Sequence, residues 1–325
     1  MNQQPENRLR RPYGAGPAVS AFSLGTMRAL GSPAQMEAVL RAALAAGINH
    51  LETAPAYGPA ETFLGQALAA LRRDNLGPSD GWLITSKLLP GPDLATGQGQ
   101  LRSILARLGV AQLTNLAVHG LNRPEHLEWA LKGPGADLLT WAKDEGLVGQ
   151  VGFSSHGTPE LIEAALSSGS FTFCSLHVHL FDQTLLPIAR AALAQGIGVL
   201  AISPADKGGR LYDPPAELVA DCAPFHPLEL AYRFLLEEGI STLSLGAAQP
   251  SDLIWARRWQ ASFIRDMPDT TSRPPSVVNS SRFSGTRQTS EGLMRDAISS
   301  ISSVTAISRF MWVRMTSLMA VRSAS

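Results

Sequence analysis

The chain has 325 residues, 45% of them hydrophobic, and its 27 Lys plus Arg balance 27 Asp plus Glu at zero formal charge. Balanced charge gives no long-range field to gather polyanions, so nucleic acid is not an expected partner. The two cysteines, Cys174 and Cys222, cannot form a disulfide framework and lack neighbours suited to a zinc or iron-sulphur ligand set; they read as small buried hydrophobes, and no metal ligands are assigned.

The first residues, MNQQPENRLRRPYG, carry no apolar core of the signal-peptide kind, and no later apolar run is long enough to span a bilayer, which predicts a cytoplasmic protein with no membrane partner. Short β-rich runs then recur at residues 18–24 (AVSAFSL), 48–53 (INHLET), 82–86 (WLITS), 114–119 (TNLAVH), 148–153 (VGQVGF), 171–176 (FTFCSL), 197–202 (IGVLAI) and 240–245 (ISTLSL). Between them lie Ala/Leu-rich amphipathic stretches. In SPAQMEAVLRAALAAG, Ser32 suits a helix cap, Pro33 the first helical position and Gly47 the end. In TPELIEAALSSG, Thr158 is the cap and Glu160 lies in the first turn, where the helix dipole favours negative charge.

Eight repeats of this unit predict an α/β protein, a (β/α)8 TIM barrel, in preference to an open sheet. The barrel is assigned to residues 1–266. From 267 to 325 the chain is rich in Ser, Thr and Arg and has no Lys or Cys, a composition that predicts a disordered or irregular tail.

Active sites of such barrels form at the C-terminal ends of the strands. Glu52 closes the second predicted strand, Tyr57 follows it, Lys87 comes one residue after the third and His119 ends the fourth. Taken singly, each has a plain structural reading: a turn tyrosine, a solvated lysine, a satisfied core histidine. Their convergence on adjacent strand ends points to chemistry.

A phenol with an ordinary pKa of about 10 is a poor proton donor at neutral pH. An ammonium at Lys87 is expected to lower it, with Glu52 anchoring the ammonium. His119 can donate a hydrogen bond to a substrate oxygen as charge develops. This set suits protonation of a carbonyl oxygen during hydride delivery; Schiff-base chemistry of the aldolase type is the rival reading of Lys87.

With GINHLETAPAYGPAE, ITSK, LAVHG, VGFSSHG and ISPADKGGRLY in order, residues 8–256 resemble the aldo-keto reductase family. The resemblance implies Tyr57 as general acid, assisted by Lys87 and His119, with Glu52 where the family commonly has aspartate. It implies NADP as cofactor, with NAD as the alternative, and an aldehyde or ketone as substrate. Cofactor contacts are expected from Gly25, Thr26 and Met27 after the first strand, from Ser154 and Ser155 after the fifth, and from Ser203, Lys207, Gly208, Gly209 and Arg210 after the seventh.

Ser155 stands where relatives have asparagine, Leu176 where many have glutamine, Ile202 where a stacking aromatic is common, and Asp252 about where an arginine for the 2′-phosphate is expected. HGLN together with SPADKGG is most similar to a bacterial branch whose barrel precedes a ferredoxin-like iron-sulphur segment. No cysteine follows Cys222, so no iron-sulphur cluster is expected, and the tail reads as a replacement for that segment. The substituted nicotinamide contacts motivate a second reading, a cofactor-binding regulatory protein with little or no turnover.

Overall fold

In the computed structural model, which describes residues 10–254, 256 and 257, the predicted strands close into a barrel. A small hairpin comes first, formed by β1 (Arg10–Arg11) and β2 (Val19–Ser20). The barrel follows as β3 (Phe22–Gly25), β4 (His50–Glu52), β5 (Leu83–Leu88), β6 (Leu113–Val118), β7 (Val148–Ser155), β8 (Phe173–His177), β9 (Gly198–Ile202) and β10 (Thr242–Gly246). Neighbours in sequence pair in parallel, and β10 closes the ring by pairing with β3. The fold is therefore the expected (β/α)8 barrel. Among the described residues no helix is long and apolar enough to cross a membrane.

Local signals place the helices. Ser32 accepts from the Gln35 N–H at 3.1 Å and starts α1 (Pro33–Ala45), which Gly47 follows in the left-handed region at φ 71°. Helix α2 (Ala60–Arg73) follows the Tyr57 turn, and α3 (Leu94–Leu108) is capped by Asp93, which accepts from the Thr96 N–H at 2.7 Å. Thr158 caps the helix Pro159–Ser167, as its sequence predicts.

The first predicted run is one place where the structure differs. It splits at Ala21: Val19–Ser20 pairs with the hairpin, and only Phe22–Gly25 enters the barrel. The Ser20 hydroxyl donates to the Phe22 carbonyl at 2.6 Å while its N–H donates to Asn49 Oδ1 at 2.8 Å, which takes Ser20 out of the barrel ladder.

Strand alternation sorts the side chains into two cores. Outward residues such as Ile84, Leu116, Cys174, Leu176 and Val199 pack under the helices. Inward, Leu83, Ala117, Phe173 and Leu200 form a smaller cluster with Tyr13 and Val19. The fully buried Tyr13 ring lies 5.4 Å from His50 and 5.3 Å from Phe173 and fills the barrel from the hairpin side.

Above this plug lies a polar network. His50 Nδ1 bonds the Ser23 hydroxyl, its Nε2 lies 2.7 Å from Thr85 Oγ1, and Asn115 joins Thr85 to Gln150. Satisfied in this way, inward polar side chains are tolerated in a closed interior. The expected boundary at 266 and the tail 267–325 lie outside the described residues.

Candidate active site

The same alternation carries the inward rows upward to the C-terminal mouth. His50 is followed by Glu52 on β4, and Thr85 by Lys87 on β5; Ala117 is followed by His119 just beyond β6. Lys87 thus lies inside its strand, not after it, and His119 one residue past the end of its own. Tyr57 closes a single 3-10 turn, Pro55–Tyr57, whose N–H donates to the Ala54 carbonyl at 3.0 Å. Gly58 follows at φ 60°, ψ −124°, a conformation that a residue with a Cβ avoids, and so delivers the chain into α2.

These four side chains line one cavity of about 810 Å³. Lys87 is almost wholly buried, forms an ion pair with Glu52, and donates to the Tyr57 oxygen at 2.6 Å and to the Thr53 carbonyl at 3.3 Å. The Tyr57 hydroxyl donates to Glu52 Oε1 at 3.3 Å. The His119 ring stands perpendicular to the Tyr57 ring, centroids 5.9 Å apart.

Below Lys87's strand position, on the opposite face of β5, the Ser86 hydroxyl donates to the buried Glu61 at 2.6 Å, and Glu61 pairs with Arg107 of α3 at 2.6 Å. Glu61, in the first turn of α2, thereby ties α2, β5 and α3 together behind the site.

Burial dominates the electrostatics. It pushes the Tyr57 phenol up to about 12 and the His119 imidazole down to about 4, and it draws the Lys87 ammonium below its ordinary value against the pull of the paired Glu52 carboxylate. In the free protein the phenol stands above its ordinary value despite Lys87. Glu52 sits on the same ammonium, so the field of the pair at the phenol is weak, and desolvation of the phenolate wins.

The expected cofactor residues divide. Gly25, Met27, Ser154, Ser203, Gly208 and Gly209 line the cavity. Thr26 is buried below the lining with an unpartnered hydroxyl among the described residues. Ser155 faces outward, its hydroxyl donating to the Leu121 carbonyl at 2.6 Å, because it is one residue out of phase with the inward Ser154. Lys207 and Arg210 are exposed and do not line the cavity; Arg210 lies 3.8 Å from Asp206.

Leu176, too, is out of phase and belongs to the outer core, whereas Ser175 and His177 point inward on β8. The Asp252 carboxylate accepts the Ala248 N–H at 2.8 Å and the Gln249 N–H at 3.2 Å, a helix-capping role that accounts for it. Trp129 is buried, and its indole donates to the Pro92 carbonyl at 2.9 Å, holding the loop after β5 against the helix Pro124–Lys132. Arg28, a cation on the lining that sequence reasoning did not select, directly follows Met27; the only sequence signal for it is this place after a strand end.

The residues present fit a dinucleotide. Gly208 and Gly209 take φ 75° and 77° at the cavity edge; nothing lies within 4 Å of where a Cβ on Gly208 would stand, so a phosphate can approach the backbone there, while the Gly209 N–H donates to the Asp206 carbonyl at 3.0 Å. Ser203 and Asp206 in the same loop also have positive φ, 54° and 66°, strain of the kind that ligand-holding loops carry.

Residues 21–244 match the model of the aldo/keto reductase family. An aldo-keto reductase of Mycolicibacterium vanbaalenii is 28% identical over 221 residues, covering 66% of this chain and 74% of that protein. The crystal structure of a candidate aldo-keto reductase from Pseudomonas aeruginosa superposes with a TM-score of 0.62 at 25% identity, covering 78% of this chain and 95% of that one. An aldo/keto reductase from Klebsiella pneumoniae, solved with NADP and acetate, gives a TM-score of 0.62 at 21% identity over 83% and 98% of the two chains and supports the fold.

Proposed function

The chain belongs to the aldo/keto reductase family, and from that premise we propose that it is an NAD(P)H-dependent oxidoreductase that reduces an aldehyde or ketone to the alcohol. The observation that carries the reading is the Lys87–Tyr57 contact of 2.6 Å, backed by Glu52, at the mouth of the 810 Å³ cavity. A cavity of about 300–1,000 Å³ is the usual size for a small-molecule site.

Tyr57 gives its proton to the carbonyl oxygen, since the alkoxide that would otherwise form is more basic than the phenolate left behind. Lys87 donates to that phenolate as its charge develops, and Glu52 holds Lys87 in place. His119, neutral because burial keeps it near 4, donates its ring N–H to the same substrate oxygen. The nicotinamide supplies the hydride when bound. Gly208, Gly209, Ser154 and Ser203 would hold the dinucleotide, with Arg28 as the cation facing its phosphates. NADP is the first choice of cofactor and NAD the second.

Titration of the full chain with NADPH and NADH separately, followed by tryptophan fluorescence, should show saturable binding of at least one. Tyr57→Phe should then keep that affinity and lose carbonyl reduction by about 10²–10⁴-fold. A folded protein that binds neither nucleotide, or a Tyr57→Phe variant that reduces carbonyls at the parent rate, would overturn the proposal. Saturable binding without turnover of any carbonyl favours the regulatory reading, which the outward Ser155 and the aliphatic Ile202 motivate.

A further inference from the structure

We propose that His177, His179 and Asp182 form a site for one late first-row divalent metal ion, of the Zn²⁺ or Co²⁺ kind, at the rim of the barrel mouth. The inference rests on these residues alone and stands or falls apart from the reductase reading.

The chain path brings them together. β8 ends at His177, and two residues on the backbone folds back so tightly that His179 N–H donates to the Asp182 carbonyl at 3.2 Å and Asp182 N–H to the His179 carbonyl at 3.1 Å. One ligand-capable atom from each of the three side chains lies within 4.8 Å of the others, and the two imidazole rings stand nearly perpendicular with centroids 4.9 Å apart. Three donors each about 2.1 Å from one tetrahedral ion stand about 3.4 Å apart, so side-chain movements of roughly an ångström would complete the set.

A second observation points the same way. His177 is only 8% exposed, yet neither of its ring nitrogens has a hydrogen-bond partner among the described residues. Single hydroxyls such as those of Tyr13 and Ser175 also lack a partner among the described residues, but His177 is the only buried imidazole there with both ring nitrogens unpaired. A metal–nitrogen bond would engage the lone pair.

The chemistry of the donors selects the ion. Two imidazoles and one carboxylate suit Zn²⁺, Co²⁺ or Ni²⁺, whereas Mg²⁺ and Ca²⁺ favour oxygen ligands. Asp206 Oδ1 lies 3.6 Å from His179 Nε2, where an outer carboxylate can orient the ring, and the long 3.4 Å contact from the Phe181 N–H to His179 Nδ1 is the one that a metal bond would replace. Because Asp206 also lines the central cavity, a bound ion would add positive charge beside the loop 203–209.

The test uses the full chain, freed of metal with a chelator and dialysed, then titrated with Co²⁺ by visible absorption and with Zn²⁺ by calorimetry. One ion per chain and cobalt d–d bands of a low-coordinate site are expected. His179→Ala should weaken binding by more than about 100-fold and Asp182→Asn by at least about 10-fold. His126→Gln, an imidazole elsewhere on the mouth, should leave it unchanged. Far-UV circular dichroism verifies folding; should His179→Ala not fold, Asp182→Asn on its surface turn carries the same comparison. Absence of saturable binding, or binding lost with His126→Gln and kept in the site variants, would overturn the proposal.

Discussion

The Glu52–Lys87 pair offers the sharpest test of how the site is held. The Lys87 side chain is 2% exposed and that of Glu52 10%, so each depends on the other for most of its neutralisation. Replacing one member of such a buried pair leaves the other desolvated and costs about 3–5 kcal/mol, whereas replacing both with apolar residues is often near neutral. After Lys87→Met, the only other side-chain partner described for Glu52 is the Tyr57 hydroxyl at a long 3.3 Å. Lys87→Met and Glu52→Leu should therefore each lower stability by several kcal/mol, while the double variant should recover most of the loss. At about 2–4 °C per kcal/mol for a domain of this size, each single variant should melt roughly 6–20 °C lower. Urea unfolding followed by tryptophan fluorescence and far-UV circular dichroism measures the four corners of the cycle. Costs that simply add in the double variant would mean that the two charges are not coupled. The double variant should in any case lack reductase activity, which separates the fold from the chemistry.

Two further outcomes follow from the barrel interior. Burial pushes His50 down from 6.5 to about 3, so below pH 6.5 the unfolded chain takes up a proton that the folded protein refuses. Its contribution is fully present above that pH and is lost as pH falls toward 3, by about 2 kcal/mol at about pH 5. Urea midpoints at the two pH values should show a smaller acid loss in His50→Gln; an identical loss would exclude His50 as its source. Gly65 on α2 lies so close to α3 that a Cβ would stand 2.1 Å from the Arg107 carbonyl oxygen. Gly65→Ala should destabilise by about 1–3 kcal/mol in thermal unfolding, and a gain of stability from helix propensity would refute that packing.

Much of this protein is legible in short stretches of chain. A strand alternates every two residues and a helix needs a cap, a stripe and a stop, all within a window of ten or so; hence the eight strands, the Ser32 and Thr158 caps and the barrel itself were readable. So was the grouping of Glu52, Tyr57, Lys87 and His119, because strand ends of a closed parallel barrel converge by topology. Phase and environment were not readable in this way. A shift of one residue turns Ser155 and Leu176 outward and brings Ser175 and His177 inward, and only the pairing of β7, β8 and β9 sets that phase. Likewise, a tyrosine beside a lysine suggests an acidified phenol until the structure shows the carboxylate that shares the ammonium and the burial that outweighs it. The barrel and the reactive side chains at its mouth follow from local periodicity and chain order, which a linear sequence displays. Tertiary structure alone decided which neighbouring side chain faces the cavity and what charge it carries there, because register and desolvation depend on atoms far apart in the chain.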